Sequence, residues 1–562
     1  FSRTEKSITL SPQIRKVLDV KAQMLTPNEL IQAMLKAPVD LLWNGGIGTY
    51  VKSRHESQAD VGDRANDSLR INADELRCKV IGEGGNLGFT QLGRIEYAVK
   101  GRINTDAIDN AAGVDCSDHE VNIKILLNKL VEQGDMTVKQ RNVLLEKMTE
   151  KVAQLVLKNN YLQTQAITMV ESQAADMLEV HARLINQLGN EGRLDRAVEF
   201  LPDQELLEER KAKGEGLYRP ELAVVFAYSK LLLKELLNGS LIIQDKAFKQ
   251  DLLDYFPSNL SQPFISSIEE HRLRDEIVIN QVVNSLVNRL GPSFAFRMRD
   301  EAGATIDEVI KNYKIACDIF NTAGLWNDIE MLDNQVSPNV QVDMLMDVRK
   351  LIERTMYWLQ RNRSQMMSIE AVVSEFSDSV GLIGKKMLDY ASQTVKDAVD
   401  QRAFRYQEAG VAENLAKKVA GLELEFLSLD IIAVNSVVKR GKEDVLAVYS
   451  AVSEELKLNW LHGCISRLPR RNYWQSLARS ALRDDLHAEN RALLRAIFLH
   501  SNKHDTTAKW VSDWCSTNRA EIDRYLHLIS TIQAENEIEI EQLSVILKEL
   551  HMIVEKSKMK PV

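Results

Sequence analysis

Short apolar runs that open directly into clusters of glycine and asparagine are confined to the first 120 residues, and they constrain the fold more than any other feature. Val39-Asp40-Leu41-Leu42-Trp43 runs into Asn44-Gly45-Gly46-Ile47-Gly48, and Lys79-Val80-Ile81-Gly82 runs into Glu83-Gly84-Gly85-Asn86. A short apolar run that ends in a Gly/Asn cluster is the pattern of a buried parallel strand opening into a ligand-facing loop. In open α/β sheets ligands bind outside the carboxyl ends of the strands. A third cluster, Asp109-Asn110-Ala111-Ala112-Gly113, follows within the same forty residues. The N-terminal part therefore reads as α/β with a ligand site on its loops. Asn44-Gly45-Gly46 alone supports two readings, a close approach of backbone to ligand or a plain tight turn.

Glycine thins out after about residue 114, and strand signals go with it. Leu145, Met148, Val152 and Leu155 recur at helical spacing, with Asn159-Asn160 as the expected stop. Residues 190–216 are charged and read as loop-rich, a plausible domain boundary. Pro220-Glu221 starts an apolar helix that ends at Asn238-Gly239, and another runs from Asp275 to Leu290 before Gly291-Pro292. Residues 339–468 contain no proline and read as long amphipathic helices. Arg467, Arg470 and Arg471 beside Pro469 read as a solvated turn rather than a basic patch. The 562 residues with 44% apolar content can build several cores. A net charge of −9 argues against nucleic acid or an anionic membrane as the main partner. No apolar run approaches the length of a membrane span. The five cysteines have no metal-site spacing, which fits a reducing cytoplasm.

Local signals add detail. Thr26-Pro27-Asn28-Glu29 has the spacing of a capping box with proline at the first helical position. Residues 53–72 are polar and read as a surface excursion with a short helix. Gly82-x-Gly84 lacks the third glycine of a dinucleotide fingerprint, since position 87 is Leu. Ser117-Asp118-His119-Glu120 has capping-box spacing before an apolar-periodic helix, so Ser117 is either an ordinary N-cap or a carboxylate contact at a helix start. Asp115 and Asp118 count against an anion there unless they point away.

The runs 39–52, 82–88 and 104–120, together with Arg219-Pro220-Glu221-Leu222-Ala223-Val224 and Trp474-Gln475-Ser476-Leu477-Ala478-Arg479, resemble the C-terminal portion of the large bacterial NAD-specific glutamate dehydrogenases. The resemblance implies oxidative deamination of L-glutamate to 2-oxoglutarate and ammonia, with NAD as cofactor, in a cytoplasmic homo-oligomer. It implies that residues 1–130 are the C-terminal part of a Rossmann-like coenzyme domain, 131–214 a helical segment packing back on it, and 215–562 an all-α domain. It assigns Asn44, Gly45, Gly46, Gly84, Gly85 and Asn86 to the cofactor, and Asn110 and Ser117 to the substrate. It places the family's catalytic lysine and aspartate before Phe1, so residues 1–562 alone are expected to be inactive. Two alternatives stand beside it: a non-catalytic helical assembly or regulatory module, and a dehydrogenase of another amino acid.

Overall fold

The structure, a computed structural model, describes all residues except 364–365, 470–471, 500, 502–504, 536–537 and 560–562. Arg470 and Arg471 of the expected basic turn lie outside the described residues. The chain forms two compact units, Phe1–Phe296 and Arg297–Val562.

The first unit holds six short strands among its described residues: β1 (Ile8–Thr9), β2 (Met24–Leu25), β3 (Leu41–Asn44), β4 (Val51–Lys52), β5 (Ile71–Asn72) and β6 (Val80–Glu83). They form three two-stranded sheets, with β3 parallel to β6 and β4 parallel to β5. The core between them contains Val51, Ile71, Leu76, Ile81, Phe89 and Tyr97. The fully buried Tyr97 donates its hydroxyl to the Cys78 carbonyl (2.8 Å), which ties the Gln91–Ala98 helix to the start of β6.

Both apolar runs form strands, but the expectation of burial on both faces needs correction. Leu41 and Trp43 are 55% and 60% exposed and Val80 is 40% exposed, whereas Ile81 is buried. Side chains alternate along a strand, and only one face of the β3/β6 pair is covered. The Trp43 indole lies flat over the neighbouring strand: a Cβ on Gly82 or Gly84 would come within 2.5 or 2.7 Å of its ring. Those two glycines are required by the indole.

The polar stretch 53–72 is more than a surface excursion. The buried Arg70 donates to the Thr49 carbonyl (2.8 Å), the Asp63 carbonyl (2.6 Å) and the Asp67 carboxylate (2.7 Å), pinning the excursion under β4 and β5. An arginine inside a charged run carries no sequence mark of burial.

The helix start at Thr26 follows its signal. Thr26 and Glu29 form the expected capping box on helix Pro27–Leu35. Asn159-Asn160 does not stop a helix, because Val138–Glu171 runs through it unbroken. Asparagine disfavours helix interiors by competing for local backbone bonds. Here both amides bond elsewhere, Asn159 to the Asp115 carboxylate (2.9 Å) and Asn160 to the Ile108 carbonyl (2.6 Å). The charged stretch 190–216 also contains a helix, Gln204–Lys213.

The second unit is all-α among its described residues. Helices Pro338–Asn362, Ile369–Tyr390, Leu422–Val438 and Tyr473–Leu499 build its centre, where Trp358 meets Phe376 edge-to-face at 5.6 Å. Among the described residues no helix is long and apolar enough to cross a membrane.

Helix Arg219–Leu237 begins as expected, with Pro220 in its first turn. Glu221 is 1% exposed and accepts both arms of the Arg210 guanidinium (2.6 and 2.9 Å) and the Tyr218 N–H (2.7 Å). Removing one partner of a buried pair strands the other charge. Glu221→Ala should lower the unfolding free energy by about 3–5 kcal/mol, read from urea denaturation. Arg210→Met combined with Glu221→Leu should recover part of that loss. A wild-type midpoint for Glu221→Ala would refute this role.

Candidate functional site

β3 and β6 pair in register, Leu41 with Val80 through Asn44 with Glu83, so their loops leave the sheet at the same level. The Gly85 N–H donates to the Asn44 carbonyl (2.9 Å), and a Cβ on Gly85 would come 2.5 Å from the Gly46 carbonyl oxygen. Only glycine fits where the two loops run backbone to backbone. Gly46 has open space around its Cβ position, and Ile47 beside it is 86% exposed. Asn44 Oδ1 accepts the Gly46 N–H (3.4 Å), while Asn44 Nδ2 is buried without a partner. Asn110 donates from its side-chain amide to Asn86 Oδ1. The structure thus gathers Asn44, Gly45, Gly46, Gly84, Gly85, Asn86 and Asn110 at one end of the β3/β6 pair.

A charged layer beneath the loops fixes their shape. Glu83 is fully buried, and its carboxylate accepts Arg94 Nε–H (2.6 Å) and Nη2–H (2.9 Å). The Glu83 N–H donates to Asp109 Oδ2 (2.9 Å), whose other oxygen accepts the Asn104 amide (2.6 Å). Arg219 Nε–H donates to Asn104 Oδ1 (2.6 Å), and Arg219 is itself held by Thr168 (2.9 Å), Glu171 (2.9 Å) and the Thr164 carbonyl (3.1 Å). Burial pushes the Glu83 and Asp109 carboxyls up; the Arg94 fork opposes it at Glu83, and the Asn104 and Glu83 N–H donors oppose it at Asp109. At the loop tip Leu87 takes φ 55°, a left-handed conformation that costs roughly 1–2 kcal/mol for such a residue. Two bonds enforce it: the Leu87 N–H to Asp106 Oδ2 (2.8 Å) and the Thr49 hydroxyl to the Leu87 carbonyl (2.7 Å).

The sequence reading missed Arg94, Asp106, Asp109 and the inward role of Arg219. Arg219 reads as part of a helix start, and only its partners show that it supports Asn104. Asn104, Asp106 and Asp109 bring three members of this layer from the 104–120 run.

The N-cap reading of Ser117 is overturned. Its helix starts earlier, at Ala111, with Asn110 at the cap position, and runs to Glu132. Ser117 is exposed within the helix. It lies seven residues after Asn110, about 10 Å further along the same face. Ser-x-x-Glu spacing cannot distinguish a helix start from two turns inside one, and Gly113 lowers helix propensity by about 1 kcal/mol without breaking the helix. Asp115 and Asp118 do turn away: Asp115 accepts from Asn159 (2.9 Å) and Asp118 from the Tyr255 hydroxyl (2.7 Å). His119 is buried and stacked on Tyr255 with ring centroids 4.4 Å apart, and burial pushes its pKa down.

Residues 1–170 match the family model for the bacterial NAD-glutamate dehydrogenase catalytic domain, and residues 214–552 match the model for the glutamate dehydrogenase C-terminal region. The chain is 41% identical over 559 residues to an NAD-specific glutamate dehydrogenase of Pseudomonas aeruginosa, covering 99% of this chain and 34% of that protein. It is 40% identical over 557 residues to the enzyme of the same name from Halomonas elongata, covering 98% of this chain and 34% of that protein. A Mycobacterium tuberculosis protein of that name is 38% identical over 565 residues, covering 99% and 35%. The chain spans about a third of the length of these curated relatives.

The buried Glu83–Arg94 pair yields a pH signature. Without Arg94, the Glu83 carboxyl loses the group that opposes the upward push of burial, so its folded pKa rises further above the unfolded value near 4.5. A carboxyl whose folded pKa is raised contributes stability below the unfolded value and loses it as pH climbs through the folded one. Arg94→Met should therefore fall progressively further below wild type in melting temperature between about pH 4 and pH 8. A constant gap across that range would show that Glu83 is not left as an unpaired charge.

Proposed function

This chain belongs to the bacterial NAD-specific glutamate dehydrogenase family, and from that premise we propose that its first 130 residues form one wall of an NAD and glutamate site. The reaction served is NAD-dependent oxidative deamination of L-glutamate to 2-oxoglutarate and ammonia. The observation that carries this reading is the convergence of two Gly/Asn loops at the ends of in-register parallel strands, joined to a third by the Asn86–Asn110 contact.

The residues present suit the cofactor. Asn44 Nδ2 is a buried donor without a partner, and the backbone at Gly46 is bare and open. An unsatisfied buried donor costs about 1–3 kcal/mol, and a ribose or carboxamide oxygen would relieve it. NAD supplies the hydride acceptor when bound. Asn86 and Asn110 each keep amide groups beyond their mutual bond, and an amide can both donate and accept. That suits a nicotinamide carboxamide at Asn86 and a substrate carboxylate at Asn110. The Ser117 hydroxyl, two turns along the helix, donates to the carboxylate of glutamate. With Asp115 and Asp118 engaged elsewhere, this helix face can receive an anion. Positioning of this kind can contribute several kcal/mol to lowering a barrier.

The exposed faces of Leu41, Trp43 and Val80 support a further layer against the β3/β6 pair, the remainder of a Rossmann-like coenzyme domain.

Two substitutions in the full-length enzyme test the site. Asn86→Gly preserves any loop conformation but removes the amide, and should lower kcat/KM by about tenfold or more. Ser117→Asp falls on an exposed helical position, so it should fold normally. It should raise the KM for glutamate strongly by charge repulsion and leave the KM for NAD near wild type. Wild-type kinetics in both variants would sink the assignment.

A further inference from the structure

In the second unit a cavity of about 360 Å³ opens between helices Pro338–Asn362, Leu422–Val438 and Tyr473–Leu499. Its walls carry four guanidinium groups, Arg354, Arg361, Arg483 and Arg491, against two carboxylates, Asp484 and Asp485. Trp358 and Phe426 supply apolar wall. A void of this size falls within the usual range of small-molecule sites.

The arginines are oriented from behind. Asp430, 2% exposed and outside the lining, accepts Arg491 Nη1–H (2.5 Å), His487 Nδ1–H (2.8 Å) and the Trp358 indole N–H (2.8 Å). Burial works to raise the Asp430 carboxyl, but His487, Arg491 and Trp358 outweigh it and keep its pKa at about 2. Glu423, also outside the lining, accepts Arg354 Nη1–H (3.0 Å). Arg361 pairs with Asp484, and these two side chains are 34% and 19% exposed. A guanidinium has five donor hydrogens in a fixed fork; Arg491 gives one to Asp430 and one to Asn362 Oδ1 (2.6 Å), which leaves three for a ligand. His487 also lines the cavity, is 5% exposed, and has its Nε2 buried without a partner. Arg354 and Arg361 are seven residues apart on one helix, two turns or about 10 Å on one face. Charge at two depths suits a ligand with anionic groups at both ends.

The geometry points to a binding site for a small organic polyanion in this cavity, its carboxylate or phosphate groups taken by Arg361 near solvent and by Arg354 and Arg491 deeper in. Arginine forks match both groups bidentately, so the shared chemistry is a compact anion with two charged ends. The inference does not depend on what the first unit binds.

Isothermal titration of the full chain with succinate and with inorganic pyrophosphate, at constant ionic strength and against a chloride control, separates the two ligand chemistries. One of the two should bind saturably at one site per chain. Arg361→Ala, near solvent, should weaken that binding by about tenfold or more. Asp484→Asn, which removes the carboxylate competing for Arg361, should tighten it. A melting-temperature scan of both variants checks that they remain folded. The proposal is overturned if neither probe binds more tightly than chloride, or if both folded variants bind with wild-type affinity.

Discussion

The fully buried Glu83–Arg94 ion pair is the constraint on which the first unit's loops depend. A carboxylate at the end of a parallel strand, out of water, is tolerable only with a matched cation and further donors. Arg94 supplies the cation from helix Gln91–Ala98, so that helix is drawn against the end of β6. Asp106 also pairs with Arg94 (3.2 Å) and accepts the Leu87 N–H, which fixes the loop tip. Asp109 accepts the Glu83 N–H and passes the constraint through Asn104 to Arg219, in a helix more than a hundred residues later. One buried charge thus sets the positions of two loops and the start of the long helix Ala111–Glu132.

This chain of bonds explains which parts of the site were legible in the sequence. β3, β6 and their Gly/Asn loops carry local signals, an apolar run followed by residues permissive of unusual backbone, and the structure pairs those strands. The polar layer carries none. Arg94 lies in Gln91-Leu92-Gly93-Arg94-Ile95-Glu96, where an arginine reads as solvated. Asp106 and Asp109 stand in the 104–120 run with no local signal of their own. Their meaning comes from bonds to Glu83 and Leu87, 11 to 26 positions away, which hydrophobic periodicity does not record. The same limit produced the Ser117 and Asn159-Asn160 errors. A capping box and an Asn pair are both local patterns: at Asn159-Asn160 tertiary hydrogen bonds take up the amides, and at Ser117 the helix has already begun at Ala111.

The two units keep their buried polar groups differently. In the second unit the hub is Asp430, which collects an indole N–H, an imidazole and a guanidinium from two other helices. It fixes how helices Pro338–Asn362, Leu422–Val438 and Tyr473–Leu499 rotate about their axes, because Trp358, Asp430 and the His487/Arg491 pair each sit at a defined turn. The pattern of residues 339–468 predicted long helices there but not their rotation. A stripe of Leu and Val tolerates small rotations, whereas a buried carboxylate with three donors does not.

The β3/β6 pair raises the last structural question, because two parallel strands with an uncovered apolar face are an unusual end point. Parallel sheets normally have both faces covered, and a two-stranded sheet has little stability of its own. Here the inner face rests on Ile81 and the surrounding core, while the outer face carries Leu41, Trp43 and Val80. The Trp43 indole is not a loosely placed surface side chain. Gly82 and Gly84 clear space for it on the neighbouring strand, so its orientation is set before anything covers it. A pre-ordered aromatic beside bare apolar positions loses little entropy on being covered. The same indole lies against the backbone of the glycine loop that ends in Asn86, so whatever layer packs on Trp43 bears directly on the loop. Through this one side chain, the outer face of the β3/β6 pair and the shape of the glycine loop are coupled.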